Sequence, residues 1–329
     1  MTNIGEYSFY YCPKITSVAI PNSVTNIGSD AFGLCSSLTS VTLNSNAIAS
    51  NEYTTTSSIS SFFGKQVKEY IIGEEVTRIG YYAFSECSGL ASVTIGNSVT
   101  SIGSDAFENC SSLTSIEIPN SVTYIGDRAF YNCSGLTSVT IPNSLTSIEG
   151  GVFFGCSSLT SIEIPNSVTS IGRNAFFGCS RITSIEIPNN VTSIGDDAFK
   201  GCSNLTSVSI GNSVMSIGKR AFDGADIPTI ISLIENPFTI YGKTSNDRTF
   251  TLNTFNNATL YVPKGTIDKY KATEGWKDFW FIEEGNPTGI NVVEIINNNN
   301  TVVYDLNGVR KLEPKKGINI VNGKKVVVK

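Results

Sequence analysis

The amino-acid sequence predicts a solenoid of parallel β-strands and short 3₁₀ or helical turns, followed by a small β-rich region at the C-terminus. The first observation is a 23-residue repeat, clearest in Leu113–Gly135, which recurs at 90–112, 136–158, 159–181 and 182–204. The second is an alternation of polar and apolar residues inside each repeat, which is typical of a strand. The third is a phenylalanine followed three residues later by a cysteine. Because one repeat cannot bury its own apolar side chains, the copies are expected to stack.

Each part of the repeat predicts one element of a coil. Ser115–Ile118 alternates polar and apolar residues and predicts a strand with one buried face. Pro119 ends this strand, since proline cannot donate a hydrogen bond to a neighbouring strand. Ile125 provides a second short apolar contact, and residues 127–132 are expected to form a 3₁₀ or helical turn that places Phe130 in the core. Equivalent strands of successive coils would pair in parallel, about 4.8 Å apart.

The cysteines occupy a single position of the repeat, and their spacing is 23 residues with one exception. They are therefore expected to form a buried column in which each acts as a small apolar residue. Lateral disulfides are the alternative, but the parallel side-chain directions do not favour them. No Cys-X-X-Cys pair supports a zinc site. The column consists of Cys12, Cys35, Cys87, Cys110, Cys133, Cys156, Cys179 and Cys202.

The one irregular cysteine interval indicates an insertion in the repeat. The interval from Cys35 to Cys87 is 52 residues, which predicts a degenerate coil near 44–70 with six extra residues around 44–61.

We predict about ten coils in residues 1–225, where the period ends. Residues 226–285 are predicted to cap the last coil, because an open sheet edge is a liability. Residues 286–329 are predicted to form a small β domain, since Asn-Gly pairs there are hairpin signals.

Composition excludes several classes of function. The net charge is −5, which argues against binding to nucleic acid or docking on an anionic membrane. The chain has no histidine, so Ser–His–Asp and Cys–His catalysis and histidine-bearing metal sites are excluded. No apolar run approaches the roughly 20 residues that span a bilayer. We therefore expect no cofactor, no catalytic or metal site, and no direct membrane insertion.

The pattern LxxIxIPxxVxxIGxxAFxxC resembles the 23-residue leucine-rich repeats of BspA-like bacterial surface proteins, the Treponema-type class. The resemblance covers residues 1–225, about two thirds of the chain. It implies a leucine-rich repeat solenoid, a right-handed superhelix whose sheet face is the usual partner-binding surface. It also implies a role in adhesion, with a host or bacterial surface protein or a glycan as the partner.

The outward strand positions are the candidate partner-binding residues. One column is almost entirely serine, and the neighbouring column alternates between threonine and glutamate. The alternative is that small polar residues merely tolerate a crowded sheet. A variable column is the better candidate for recognition, since it departs from the repeat where the fold permits. The predicted binding residues are Ser115, Glu117, Ser138, Thr140, Ser161, Glu163, Ser184 and Glu186.

Two neighbouring glutamates raise the question of catalysis. Glu163 and Glu186 would lie on adjacent coils about 4.8 Å apart, near the separation of about 5–5.5 Å used by retaining glycosidases. However, identical positions of any solenoid have this spacing, and a flat strand face offers no pocket for a sugar ring. A carboxylate-based glycan hydrolase or a divalent-cation site is therefore the weaker interpretation.

Two further resemblances concern the tail and the cellular location. The run ATLYVPKGTIDKYKATEGWKDF resembles the tail that follows such repeats in gut Bacteroidetes surface proteins, and residues 301–329 resemble a C-terminal sorting domain of that phylum. The start, Met1–Gly5, aligns with the middle of a repeat, so we expect a truncated chain whose signal peptide is removed or missing. An extracellular or outer-membrane location follows from these resemblances.

Together these observations predict a non-enzymatic cell-surface binding protein. Its partner is expected to be a protein or a glycan that contacts the solenoid sheet. A passive structural spacer on the cell surface is the main alternative function.

Overall fold

A computed structural model describes residues 1–285 and, beyond them, four short strands at 303–304, 310–311, 317–321 and 324–328. The fold is a parallel β-solenoid of about twelve turns with few helices, which confirms the predicted fold class. The longest helices in the described part have six residues, so none of them could cross a membrane.

The elements follow the repeat, with a four-residue or three-residue strand and a two-residue strand in most coils. The strands of residues 1–148 are β1 (Asn3–Ile4), β2 (Ser17–Ile20), β3 (Asn26–Ile27), β4 (Ser40–Leu43), β5 (Glu69–Ile72), β6 (Arg78–Ile79), β7 (Ser92–Ile95), β8 (Ser101–Ile102), β9 (Ser115–Glu117), β10 (Tyr124–Ile125), β11 (Ser138–Thr140) and β12 (Ser147–Ile148).

The later strands continue the same order. They are β13 (Ser170–Ile171), β14 (Ser184–Ile187), β15 (Ser193–Ile194), β16 (Ser207–Ile210), β17 (Ser216–Ile217), β18 (Thr229–Ser232), β19 (Thr259–Val262), β20 (Phe281–Glu284), β21 (Val303–Tyr304), β22 (Arg310–Lys311), β23 (Gly317–Val321) and β24 (Lys324–Val328). The helices are α1 (Asn46–Ala49), α2 (Ser60–Phe63), α3 (Leu252–Asn257) and α4 (Ile267–Ala272), and Trp276–Asp278 forms a 3₁₀ turn.

Each coil has three sides. The longer strands form the first sheet, in three ladders with the orders β2-β4-β5-β7, β9-β11 and β14-β16-β18-β19-β20. The two-residue strands form the second sheet, with the orders β1-β3, β6-β8-β10 and β12-β13-β15-β17. The third side, here called the turn side, contains the Ala-Phe pair. All pairings in both sheets are parallel, as the stacking of equivalent repeat positions predicts.

The turn side differs in detail from the predicted 3₁₀ or helical turn. The Cys133 N–H donates to the Phe130 carbonyl in the same coil (3.2 Å), but the Phe130 N–H donates to the Val152 carbonyl of the next coil (2.9 Å). Arg128 and Asn132 have positive φ angles of 55° and 53°, which suits the third residue of type II turns. Alternate donors therefore point to the next coil, and the segment is a series of turns that adds a third lateral ladder.

A continuous stack of phenylalanine rings fills the centre of the solenoid. Neighbouring rings from Phe84 to Phe250 lie 5.0–5.6 Å apart and nearly parallel. Offset-stacked aromatic rings at this distance attract one another beyond the area they bury. The stack consists of Phe84, Phe107, Phe130, Phe153, Phe176, Phe199, Phe222 and Phe250, and all eight are fully buried.

The cysteine column lies beside this stack. Seven of the eight thiols are buried, as predicted, and Cys12 in the first coil is half-buried. The thiols are also hydrogen-bond donors, which was not predicted. The Cys133 Sγ donates to the Phe107 carbonyl of the preceding coil at 3.1 Å, and Cys110, Cys156, Cys179 and Cys202 repeat this bond at 3.1–3.3 Å. The cysteines therefore link neighbouring coils through the core.

The degenerate coil replaces part of the repeat with helices. Helix α1 is capped by Ser45, whose hydroxyl accepts from the Ile48 N–H at 3.1 Å, and α2 occupies the turn side. The ring of Phe63 in α2 stacks on Phe32 at 5.2 Å. Tyr70 then takes a strand position that most coils give to valine or isoleucine, and its ring lies 4.9 Å from Phe84. The contacts between buried aromatic rings therefore continue through the degenerate coil.

Residues 226–285 add strands to the first sheet. Strands β18, β19 and β20 pair in parallel, one after another, with β16. The interiors of these turns are filled by large aromatic side chains, among them Trp276 and Tyr270. Helix α4 lies between β19 and β20 in this region. The division into a repeat region and a cap at residue 225 remains a prediction.

The C-terminal strands form two antiparallel pairs, β21 with β22 and β23 with β24. The last pair flanks Asn322-Gly323, where the sequence predicts a hairpin. The rest of the segment predicted to be a sorting domain lies outside the described residues.

Candidate functional site

The eight predicted binding residues all lie on the outward surface of the first sheet, here called the sheet face. Their side chains are exposed, and the intervening isoleucines and valine point inward. This alternation arises because successive side chains of a strand point to opposite sides. The columns predicted from the repeat spacing are therefore present. The exposed residues are Ser115, Glu117, Ser138, Thr140, Ser161, Glu163, Ser184 and Glu186.

Strand register brings only some of these residues together in one ladder. Ser138 pairs with Ser115, and Thr140 pairs with Glu117, in the β9–β11 ladder. Residues 161–164, which include Glu163, form no strand, so the next ladder begins at β14 with Glu186. The predicted site is thus divided between two ladders, with one unpaired coil between them.

Prolines contribute to the interruption, although β9 and β11 pair despite Pro142. The residue after the strand donates to the preceding coil where it has an N–H, as Asn44 does to the Ile20 carbonyl and Leu233 to the Ile210 carbonyl, both at 2.9 Å. Four consecutive coils have proline at this position, namely Pro119, Pro142, Pro165 and Pro188. Because proline lacks an N–H, the last bond of the ladder is lost in these coils.

A groove of about 660 Å³ lies where β7 and β9 fail to pair. Its lining includes Thr94, Glu117, Pro119, Thr140 and Pro142. Glu117 is the one acidic side chain in this lining. The groove therefore gives the sheet face a concave and polar contact point.

The charged residues among the predicted binding positions of the sheet face are all acidic. Among the described residues, Glu117, Glu163 and Glu186 take part in no ion pair. In the coils of Glu117 and Glu186, the basic side chains Arg128 and Lys200 lie on the turn side, next to the rings of Tyr131 and Phe177. The outward strand positions from β7 to β16 contain no lysine or arginine. A ligand on this surface would meet uncompensated negative charge.

The arrangement does not favour a two-carboxylate catalytic site. A glycosidase needs two carboxyl groups across a bound sugar, and one of them usually has a raised pKa from burial. Glu163 and Glu186 are both exposed, and neither lines the groove next to Glu117. Glu117 has no second carboxylate beside it in the lining of this groove.

The continuation of the sheet face was missed by sequence reasoning. The register of β16, β18, β19 and β20 extends the glutamate and threonine column through Ser209, Ile231, Tyr261 and Glu283. It extends the serine column to Phe281, which is 51% exposed. No 23-residue repeat in residues 226–285 indicates which strand β19 pairs with.

A second aromatic row lies on the turn side. Tyr131, Phe154 and Phe177 are half-buried and stack at 4.6 and 4.5 Å. The Arg128 guanidinium lies 5.8 Å from the first ring and the Lys200 ammonium 6.0 Å from the last. Because the ring faces contact each other or a cation, this row stabilises the turn side and offers no open ring face.

Comparison with known proteins agrees with this architecture. The family model described as BspA type leucine rich repeat region (6 copies) matches residues 2–133, 55–183 and 124–259. A leucine-rich repeat protein from Eubacterium ventriosum is similar in structure, with 27% identity and a TM-score of 0.50, over 69% of this chain and 63% of that chain. The present chain therefore spans less than two thirds of that protein's length.

Two other solved structures are similar over more of the chain. A leucine-rich repeat protein from Bacteroides ovatus has 25% identity and a TM-score of 0.46, over 85% of this chain and 76% of that chain. A leucine rich cell surface protein from Faecalibacterium prausnitzii has 27% identity and a TM-score of 0.40, over 87% and 84%. A search of curated proteins finds no match. Since the family model covers most of residues 2–259, the chain belongs to the BspA type leucine rich repeat family.

Proposed function

We propose that this protein is a non-enzymatic, adhesin-like binding protein that recognises a macromolecule at the bacterial surface through its sheet face. The observation that carries the proposal is the exposed, unpaired and exclusively acidic charge on that face. The repeat family suggests a role in protein interaction. The groove beside Glu117 supplies a shaped contact point on an otherwise flat surface.

The alternatives differ from this proposal in what the sheet face does. A passive spacer has no need of unpaired carboxylates in one column, because neutral serine and threonine occupy the same position in other coils. A glycan hydrolase requires two carboxyl groups in one pocket, and the groove holds only one. Surface location, a protein or glycan as ligand, and export through a C-terminal sorting segment are parts of the proposal taken from the family resemblance.

The test is a charge reversal on the sheet face. The purified chain is applied to immobilised extracellular-matrix proteins and glycans, together with the triple variant Glu117→Lys, Glu163→Lys and Glu186→Lys. We expect the variant to bind at least tenfold more weakly to the ligand that the unmodified chain captures. The reason is that three carboxylates complementary to the partner's charge are replaced by three positively charged groups, which would repel that partner.

A matched control changes the same charge elsewhere. Glu6, Glu75 and Glu235 are exposed, lie off the sheet face and form no ion pair within the described residues, so their triple lysine variant should bind normally. Equal binding by both variants would contradict the proposal. Failure to bind any member of the panel would favour the spacer, and turnover of a glycan or peptide library would establish an enzyme instead.

A further inference from the structure

The last continuous ladder of the first sheet presents one unbroken outward column. Strands β14, β16, β18, β19 and β20 pair in parallel, and their register aligns five side chains. In order along the solenoid these are Glu186, Ser209, Ile231, Tyr261 and Glu283. The column therefore has an acid at each end and an aliphatic and an aromatic side chain between them.

The apolar part of this column is accessible. Ile231 and Tyr261 are half-buried, and Phe281 in the neighbouring column is 51% exposed. Trp280 next to it is 68% exposed, but the Lys243 ammonium lies 5.9 Å from its ring. Single exposed hydrophobic residues are ordinary. A group of tyrosine and phenylalanine side chains on one sheet surface is instead typical of interfaces, where these residue types are enriched.

The acidic ends of the column lack a cation. Neither Glu186 nor Glu283 forms an ion pair with any residue that the structure describes. Two basic side chains of these turns, Lys219 and Arg220, both contact Asp247 on the turn side, at 3.0 and 2.8 Å. A ligand with two positive charges would therefore compensate both ends of the column.

We propose that this column binds an extended polypeptide segment in which an apolar or aromatic side chain lies between two basic ones. Four strand spacings of about 4.8 Å separate Glu186 from Glu283, or roughly 19 Å. An extended peptide covers this distance with about six residues. The inference rests on the proposed function of the sheet face and specifies the chemistry of the partner. Charge complementarity favours a basic polypeptide, because a neutral glycan leaves both carboxylates uncompensated.

The test uses the full chain and the synthetic peptide Lys-Thr-Thr-Thr-Phe-Thr-Lys, whose two Lys side chains and Phe side chain lie on the same side of an extended chain. The Kd is measured by isothermal titration at low and high salt. We expect binding that weakens as salt increases. Glu186→Gln and Glu283→Gln should each raise Kd about two- to fivefold, the range of exposed ion pairs. Ile231→Thr and Tyr261→Ala should raise it about tenfold, as expected for an interface anchor. Glu235→Gln and Tyr124→Ala, which lie off the column, should leave Kd unchanged.

Two peptide controls separate charge from apolar contact. Replacement of the Phe by Ser, or of both Lys by Glu, should weaken binding at least fivefold. The inference is wrong if either control peptide binds as tightly as the original, if the Gln variants bind it normally, or if a neutral oligosaccharide displaces it. Loss of panel binding in the triple lysine variant, together with no peptide binding, would leave the proposed function standing and overturn this inference alone.

Discussion

The folded protein is expected to lose stability steeply as the pH rises above about 9, because its core contains thiols that cannot ionise there. Burial raises the pKa of Cys87, Cys133 and Cys202 to about 12. Burial also raises the pKa of Cys110 and Cys156 well above the ordinary value of 9.0, and the same holds for a sixth thiol, Cys179.

The direction follows from the protons bound in each state. Above pH 9 the unfolded chain releases its thiol protons. The folded chain keeps those of Cys87, Cys133 and Cys202 until about pH 12, and keeps those of the other three thiols well above pH 9. The unfolded state is then favoured, so the stability is complete below pH 9 and is lost as the pH rises toward 12. Each thiol contributes about 1.4 kcal/mol per pH unit, and six of them give a slope on the order of 8 kcal/mol per unit. Domains are typically stable by about 5–15 kcal/mol, so unfolding is expected within one to two units.

The measurement is the free energy of unfolding in guanidinium chloride, with reductant, at half-unit steps from pH 7 to pH 10.5. A double variant with Cys133→Ala and Cys156→Ala should show a slope smaller by about 3 kcal/mol per unit above pH 9. It should also be less stable at pH 7, because it loses two coil-to-coil thiol bonds to the Phe107 and Phe130 carbonyls. Equal stability of the unmodified chain at pH 8 and pH 10 would contradict the buried-thiol explanation.

Removal of one ring from the central stack is expected to destabilise the solenoid strongly. Phe130 is fully buried between Phe107 at 5.3 Å and Phe153 at 5.6 Å. Phe130→Ala should lower the free energy of unfolding by about 3–5 kcal/mol, the usual loss for a buried phenylalanine. Because each coil contacts only its neighbours, the defect should also separate the unfolding of the two halves.

The test is denaturant unfolding followed by circular dichroism. Tyr124→Ala is the control, since Tyr124 is 46% exposed on the second sheet and its loss should cost about 0.5 kcal/mol or less. If both variants unfold at the same denaturant concentration, the ring stack does not hold the coils together.

Much of this fold could be predicted from the sequence, because residues one repeat length apart occupy equivalent positions in neighbouring coils. Once Leu113–Gly135 is recognised as one coil, the burial of Phe130 and Cys133 and the exposure of Glu117 follow from the stacking of equivalent residues. The same reasoning did not reveal the thiol hydrogen bonds, since these depend on the direction of a carbonyl in the preceding coil. The positive φ angle of Arg128 was not predicted either, although five other coils have Asp, Asn or Gly at the equivalent position and these residues favour that conformation.

The extension of the sheet face could not be derived from the period. Residues 226–285 have no 23-residue repeat, so nothing in the sequence aligns Tyr261 with Glu186. Their relation depends on strand pairing, which places β18 beside β16 and β19 beside β18. Likewise, Pro142 and Pro165 are visible in the sequence as strand ends. Proline cannot donate the backbone hydrogen bond to the preceding coil. That this missing bond accompanies a break in the ladder beside Glu163 becomes visible only when the coils are stacked.

The central claim is that the outward columns of the first sheet contact the partner. A photo-crosslinking amino acid placed at Thr140, in the groove of the sheet face, tests it most directly against the same amino acid at Tyr124 on the second sheet. Both positions are exposed, so each can react with a bound molecule. With the captured panel ligand present, we predict a crosslinked product from position 140 and none from position 124. Crosslinking from position 124 alone would contradict the claim.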